Sequence, residues 1–375
     1  MSDTRRLNPL SFHYRKGETG TGACQFSAPT CPVYCAENSL LYILDTGNHR
    51  VQSFDVNAVD VAYGWGSAGT GVGQFTSPDS MIIRPNRVLV LDHPSSGVGR
   101  IQAFDLDGAY QWSIEIAQGL LAQHVSSYAP LGDPSASGYI TVKHLVDVET
   151  KIHYYSIDDG SYCGYMTIPY GSGTYELEGI NWWCVSPDNS VFAAEVYHTP
   201  SGYATPSHKL VQYSPIAFGI PLAAREFFGT LPAAALSAEG MLFVIMEGPP
   251  YWGGIECHRF YGGYNGYYQT VTTTSSDDAR GRSIVFDDVL RRIVASIRTA
   301  AATYSEIFSE IYIDTMLNHE ADPYNLSLLR RDFAPADLVL PVSDESFGSI
   351  STINDVGEIV ICSSVRDEFQ VWGEM

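Results

Sequence analysis

Short runs of β-branched and aromatic residues, each bounded by turn formers, fill the chain from end to end, and no stretch keeps the 3.6-residue apolar rhythm of a helix. The most regular signal is a turn followed at once by an apolar strand. It occurs in ENSLLYILD at Asn38, PNRVLVLD at Asn86, ASGYITVKH near Ser137, PDNSVFAAEV at Asn189, AEGMLFVIME at Gly240, DDVLRRIVASI near Val289 and DVGEIVICSS at Gly357. The spacing is about 50 residues, with a longer last interval, and a fixed period of that size predicts propeller blades or solenoid units.

The repetition extends beyond the strands. Residues 11–29 reappear in 60–78, pairing Tyr14 with Tyr63, Gly17 with Gly66, Gly20 with Gly69, Thr21 with Thr70, Gly22 with Gly71, Gln25 with Gln74, Phe26 with Phe75 and Pro29 with Pro78. The two ends of the chain complement each other. EFQVW at 368–372 matches RVQSF and RIQAF, the third strands of earlier units, and nothing after it supplies a fourth. SFHYRK at 11–16 matches the fourth strand DVAYGW at 60–65 and has no unit of its own. The expectation is therefore an all-β protein: a single closed β-propeller of seven four-stranded blades, with the N-terminal strand completing the C-terminal blade and removing open edges. The predicted blades are 30–66, 79–116, 121–168, 180–228, 232–275, 282–335, and 347–375 together with 8–16. The region 300–346 bears an insertion.

GACQFSAPTCPVYCAENSLLYILDTGNHRVQSFD at 22–55 and GQFTSPDSMIIRPNRVLVLDHPSSGVGRIQAFDLDG at 73–108 place a Gly-Gln-Phe-x-x-Pro approach, an apolar strand ending in Asp, a turn and a strand opening at Arg in one order. That order resembles the NHL repeat, a four-stranded propeller blade. The resemblance is close in residues 11–108 and weak afterwards. NHL propellers commonly have six blades, so seven is a departure.

Composition narrows the class. A chain of 375 residues that is 45% hydrophobic and 17% charged can fill a large core. No apolar run reaches the roughly 18 residues of a membrane helix. The N-terminus lacks an apolar segment behind its arginines, so the expectation is cytoplasmic synthesis without a signal peptide. A net charge of −21 disfavours nucleic acid, whose phosphates need basic surfaces. Seven cysteines without a C-x-x-C pair predict reduced, mostly buried thiols rather than a zinc framework.

Candidate chemistry is sparse. Asp45 with Arg50, and Asp92 with Arg100, end one strand and open the next, and are expected to order a turn as structural pairs. His49, His93, His144, His198 and His208 fall in loops between second and third strands and so share one face. Neutral imidazoles from successive blades can hold zinc with an open position, and the resemblance implies the same, because amidating lyases of the NHL group bind metal through such histidines. Asp45, Asp92, Glu195 and Glu247 are each expected to close a second strand, giving an acidic ring with too few oxygens for calcium. Tyr251 and Trp252 in GPPYWGG, with Tyr203 and Tyr324 in the two longest loops, are candidate contact residues for proteins or sugars. No nucleophile elbow or phosphate loop is present. The leading expectation is a non-catalytic protein-interaction scaffold without a cofactor, a subunit of a large assembly such as a phage virion or tail. The alternative is a metal-dependent lyase or hydrolase using the loop histidines with zinc or calcium.

Overall fold

In the computed structural model the described residues are 10–56, 60–84, 86–116, 358–364 and 366–374, with the strands of the intervening region and the turn at 157–161. They form seven four-stranded antiparallel sheets, and the one helical element among them is a short 3-10 turn, Thr46–Asn48. The first sheet runs through Pro29–Cys35, Leu40–Asp45, Arg50–Asp55 and Asp60–Trp65. The second uses Pro78–Arg84, Arg87–Ser95, Val98–Phe104 and Tyr110–Ile116. The third uses Val125–Tyr128, Tyr139–Lys143, Lys151–Ser156 and Tyr162–Thr167. The fourth extends from Gly179–Val185 to Pro221–Phe227, the fifth from Ala234–Leu236 to Tyr267–Val271, and the sixth from Arg280–Asp287 to Ser327–Phe333. Two strands of the sixth sheet, Ser305–Asp314 and Ser327–Phe333, lie inside the interval 300–346.

The seventh sheet joins the two ends of the chain. Phe347–Ile353, Glu358–Ser363 and Glu368–Glu374 are followed in space by Leu10–Lys16, which pairs antiparallel with the last of them. The Phe12 and Trp372 rings meet edge to face at 5.5 Å, and His13 Nδ1 lies 2.7 Å from Glu358 Oε1. The Tyr14 hydroxyl donates to the Val56 carbonyl at 3.1 Å, tying this strand to the first sheet as well. First strands of consecutive sheets touch one another from the first sheet to the seventh, and the first strand of the seventh also touches that of the first.

The second strands show why the apolar pattern reads as runs rather than alternation. Those of the first, second and seventh sheets are buried on both faces, so successive side chains serve different neighbours. Leu40, Tyr42 and Leu44 pack with Val88, Val90 and Phe104 of the second sheet, whereas Leu41 and Ile43 pack with Val360, Cys362, Phe369 and Val371 of the seventh. In the second sheet, Leu89 and Leu91 turn the other way, onto Ile140 and Val142 of the third. Each such side chain contributes about 1.5–3 kcal/mol by leaving water.

At the other extreme, the outer strand is interrupted in five of the seven sheets. Register shifts fall at Phe12/Tyr14, Ser53/Phe54, Ala103/Phe104, Tyr154/Tyr155 and Gln212/Tyr213, the same place in five sheets. A bulge there twists the exposed edge away from other strands.

The Asp–Arg pairs are more than turn braces. Asp45 and Asp92 are fully buried and Arg100 is 6% exposed. Asp45 accepts hydrogen bonds from Ser27 N (2.8 Å), Asn48 Nδ2 (2.9 Å), Arg50 Nε (2.8 Å) and Gln52 Nε2 (3.1 Å). Arg50 in turn donates to the carbonyls of Thr21, Gly22 and Gln25. The second sheet repeats this. Asp92 accepts from Thr76 N (2.9 Å), Ser77 N (2.8 Å) and Arg100 Nη2 (2.6 Å), and Arg100 donates to the carbonyls of Thr70, Gly71 and Gln74. Each pair thus fixes the glycine-rich connection that enters its own sheet. Gly20 and Gly69, at φ +158° and +147°, sit against the Gln25 and Gln74 side chains, where a Cβ would collide.

Two predictions follow from these contacts. Removing one partner of a buried pair strands the other, so Arg100→Ala should cost about 3–5 kcal/mol of unfolding free energy. Arg50→Ala should cost less, because Arg50 is 19% exposed; equal or negligible losses in urea unfolding would contradict the clamp. The second prediction concerns alkaline pH. Burial, with Glu358 and Asp55 nearby, raises the Tyr14 phenol to about 12, and burial also raises Tyr42 to about 12. Unfolded tyrosine ionises near 10, so both residues contribute stability below pH 10 that is lost as pH rises toward about 12. Absorbance titration at 295 nm should show a late-ionising class that Tyr14→Phe reduces; a single class near 10 would refute the burial of this strand.

Candidate functional site

The end of the sheets that carries the clamped connections also carries the turns between second and third strands. His49 and His93 both lie there, but at different positions. His49 ends the 3-10 turn in a left-handed conformation (φ 55°) immediately before Arg50, and a Cβ on Gly66 would lie 2.8 Å from its carbonyl oxygen. His93 directly follows Asp92, and its Nε2 is 3.9 Å from Asp79 Oδ2. In the first sheet the matching position is taken by Thr46, whose hydroxyl meets that of Thr30 at 3.0 Å. Both imidazoles keep a buried Nδ1 without a hydrogen-bond partner.

Among the described residues no group of three or more His, Cys, Asp or Glu side chains is placed to hold a metal ion. His144 lies outside the described residues. His198 is the last residue of the strand Phe192–His198, and His208 pairs in register with Tyr197. The acidic ring needs a correction. Glu195 lies inside Phe192–His198, opposite Trp182 and Leu210, and does not close the strand as Asp45 does. The sequence PDNSVFAAEV runs on through Val196, Tyr197 and His198, so the acidic residue marks no boundary there. Glu247 lies outside the described residues, as do Tyr203, Tyr251, Trp252 and Tyr324.

Exposed aromatic surface is found instead on the outer strands. Phe12, Tyr110 and Tyr162 occupy one register position in three sheets, opposite Trp372, Phe104 and Tyr155, and they are 46%, 37% and 54% exposed. Tyr63 and Tyr165 are exposed on the same set of strands. In the third sheet the rings form a row: Tyr155 meets Tyr162 at 5.3 Å, and the His153 ring lies 5.9 Å from Tyr162 and 5.7 Å from Tyr165. Burial, and then the neighbouring Tyr162, pushes the Tyr155 phenol above its ordinary value, so this hydroxyl stays protonated near neutrality. Exposed phenol rings can pack on apolar or sugar surfaces while their hydroxyls bond outward. Sequence reasoning had weighed the tyrosines of the loops. The signal for these others was their place in the outer strand, one residue before the bulge.

The Asp–Arg pairs turn their bonds inward onto the connections they hold, and Arg100 Nε is buried without a hydrogen-bond partner. Cys35 and Cys362 are buried free thiols, Cys24 and Cys31 are partly buried and Cys163 is exposed. Burial raises the thiols of Cys31 and Cys362, so neither is a ready nucleophile.

No family model matches the sequence, and none of the curated proteins does. Among solved structures the chain is similar to the β-propeller domain of Myceliophteria thermophila Cps50 (Swd1), at 12% identity and a TM-score of 0.59 over 96% of this chain and all of that one. It is also similar to Kuenenia stuttgartiensis hydrazine synthase, at 13% identity and a TM-score of 0.61 over 92% and 95% of the two chains. Saccharomyces cerevisiae Sqt1 matches at 10% identity and a TM-score of 0.51 over 92% and 83%. Likeness at such identities concerns the backbone alone. The chain has a β-propeller fold.

Proposed function

We propose that the protein is a non-catalytic interaction scaffold, a closed seven-bladed propeller of NHL-like repeats that presents an aromatic outer rim to protein partners. Seven four-stranded sheets, the contacts between successive first strands and the pairing of Leu10–Lys16 with Glu368–Glu374 support the closed reading. The Gln-Phe-x-x-Pro connections gripped by Arg50 and Arg100 support the NHL likeness. The observation that carries the scaffold reading is the repeated exposure of Phe12, Tyr110 and Tyr162 at one register position. Aromatic rings are enriched in protein interfaces, and each of these rings rests on an aromatic of the third strand while staying exposed to water.

The setting we favour is a multi-subunit assembly of the kind a phage particle or tail provides, with synthesis in a cytoplasm. The seventh, second and third blades would then each present an aromatic residue at the same edge position. Carbohydrate is the secondary ligand class for the tyrosine row. The metal-dependent alternative retains one supporting observation, the approach of His93 to Asp79.

The test is isolation of the full chain with its native partners, followed by cross-linking and comparison with Tyr110→Ser, Tyr162→Ser and Tyr165→Ser variants of unchanged melting temperature. Loss of a buried interface tyrosine costs about 1–2 kcal/mol, so each variant at the contact should weaken the complex roughly 5- to 30-fold. Retention of near-stoichiometric zinc that His93→Ala removes, with no partner protected at the rim, would overturn the scaffold reading in favour of the enzyme.

A further inference from the structure

The third and fourth strands of the second and third sheets are joined through DLDG at 105–108 and IDDG at 157–160, and each turn leans on the sheet before it. A Cβ on Gly108 would meet the Trp65 ring, and one on Gly160 the Trp112 ring, each on the outer strand of the preceding sheet. The Tyr42 hydroxyl of the first sheet donates to Leu106 O at 2.8 Å, and Trp112 Nε1 of the second donates to Ile157 O at 3.2 Å. The same kind of contact is thus made at two successive junctions. It seats a carboxylate-bearing turn against a strand of exposed rings.

Tyr63 stands two residues before Trp65. Tyr110 and Tyr162 stand two residues after Gly108 and Gly160, and all three tyrosines are exposed. Asp107, Asp158 and Asp159 are exposed as well. Neither these turns nor the outer strands Asp60–Trp65, Tyr110–Ile116 and Tyr162–Thr167 contain a lysine or arginine, and the whole chain carries a net charge of −21. A surface of this composition favours a cationic partner and repels an acidic one. The face of an exposed ring attracts a cation, and a guanidinium can lie flat on it while its N–H groups reach a carboxylate. Anchoring the turns from the neighbouring sheet holds those carboxylates in place before a partner arrives.

We propose that the rim of the first three sheets docks an arginine-rich segment of a partner protein, its guanidiniums stacking on Tyr63, Tyr110 and Tyr162 and pairing with Asp107, Asp158 and Asp159. This rests on the scaffold reading above and names the chemistry of the partner. Phe12 lies outside the surface, because its strand Leu10–Lys16 carries Arg15 and Lys16.

The experiment follows fluorescence anisotropy as the full chain is added to three labelled synthetic peptides of equal length, in which serine alternates with arginine, lysine or glutamine. The arginine peptide should bind, more weakly as salt rises, and about 2- to 5-fold tighter than the lysine peptide, while the glutamine peptide does not bind. Asp107→Asn combined with Asp158→Asn should weaken binding about 2- to 10-fold at unchanged melting temperature. Tyr110→Ser combined with Tyr162→Ser should abolish the preference for arginine over lysine. Glu18→Gln combined with Asp79→Asn removes the same charge at the opposite end of the sheets and should leave binding unchanged. Absence of binding, equal binding of the arginine and lysine peptides, or an equal loss in the Glu18 and Asp79 variant overturns the proposal. A native partner cross-linked at the rim that the arginine peptide fails to displace sinks this inference alone, whereas the absence of any partner at the rim sinks the scaffold reading and this one with it.

Discussion

A carboxylate withdrawn from water must be surrounded by donors, and the first two sheets are built around that requirement. Asp45 ends a second strand of buried apolar residues, and Asp92 follows the buried apolar run Val88–Leu91 within Arg87–Ser95. The charge cannot reach solvent, so backbone amides of the entering connection and the guanidinium of the next strand come to it. Because an arginine offers a fork of donors in a fixed plane, the same group that neutralises the aspartate also fixes three carbonyls of the connection. Strand, turn and connection are thus held by one pair, and an aspartate-to-asparagine change would weaken all three together.

That arrangement explains the residue pattern of the repeat. Thr21, Gly22 and Gln25 recur as Thr70, Gly71 and Gln74 because their carbonyls are the arginine's acceptors, although the threonine side chain itself is not what is gripped. The glutamine has two further constraints. Its side-chain oxygen accepts from the backbone of Gly22 or Gly71, and its bulk leaves no space for a Cβ on Gly20 or Gly69. Phe26 and Phe75 follow directly and are fully buried, which draws each connection down between two sheets.

Much of this was legible beforehand, and for a physical reason. Period and turn chemistry are local, so the hairpins at Asn38 and Asn86 and the pairing of SFHYRK with EFQVW could be read from short matches. The loss of legibility follows burial geometry. Glu195 looks like Asp45 by its place after an apolar run, yet its strand continues to His198, and no local signal separates an acidic residue within a strand from one that ends it. The rim tyrosines were hidden for a related reason. An aromatic residue in a strand is equally compatible with a seam between sheets and with an exposed edge, and only the fourth-strand position of Tyr110 and Tyr162 decides. The histidines shared a face in the sequence reading, but position along a turn matters as much as face. His49 precedes an arginine and His93 follows an aspartate.

The seam between the seventh and first sheets uses the parts of the seam between the first and second. Gly17 lies against the Asp367 carbonyl as Gly66 lies against that of His49, and Asp367 and His49 share the left-handed conformation, at φ 54° and 55°. Phe26 meets Phe54 of the first sheet as Phe75 meets Phe104 of the second, and it also crosses the seam to Phe369 of the seventh. Asp367 adds bonds of its own, accepting from Ala28 N and Thr19 Oγ1 at 2.7 Å each. The two junctions therefore present the same steric demand at Gly17 and Gly66, while their polar contacts differ. Placing the break inside a sheet, with one strand from the start of the chain beside three from its end, gives the seam without a second connection the same backbone pairing as every other. The ends are then held by a full antiparallel ladder rather than by side-chain contact alone, which is the stronger solution where loop closure must be replaced by non-covalent bonding.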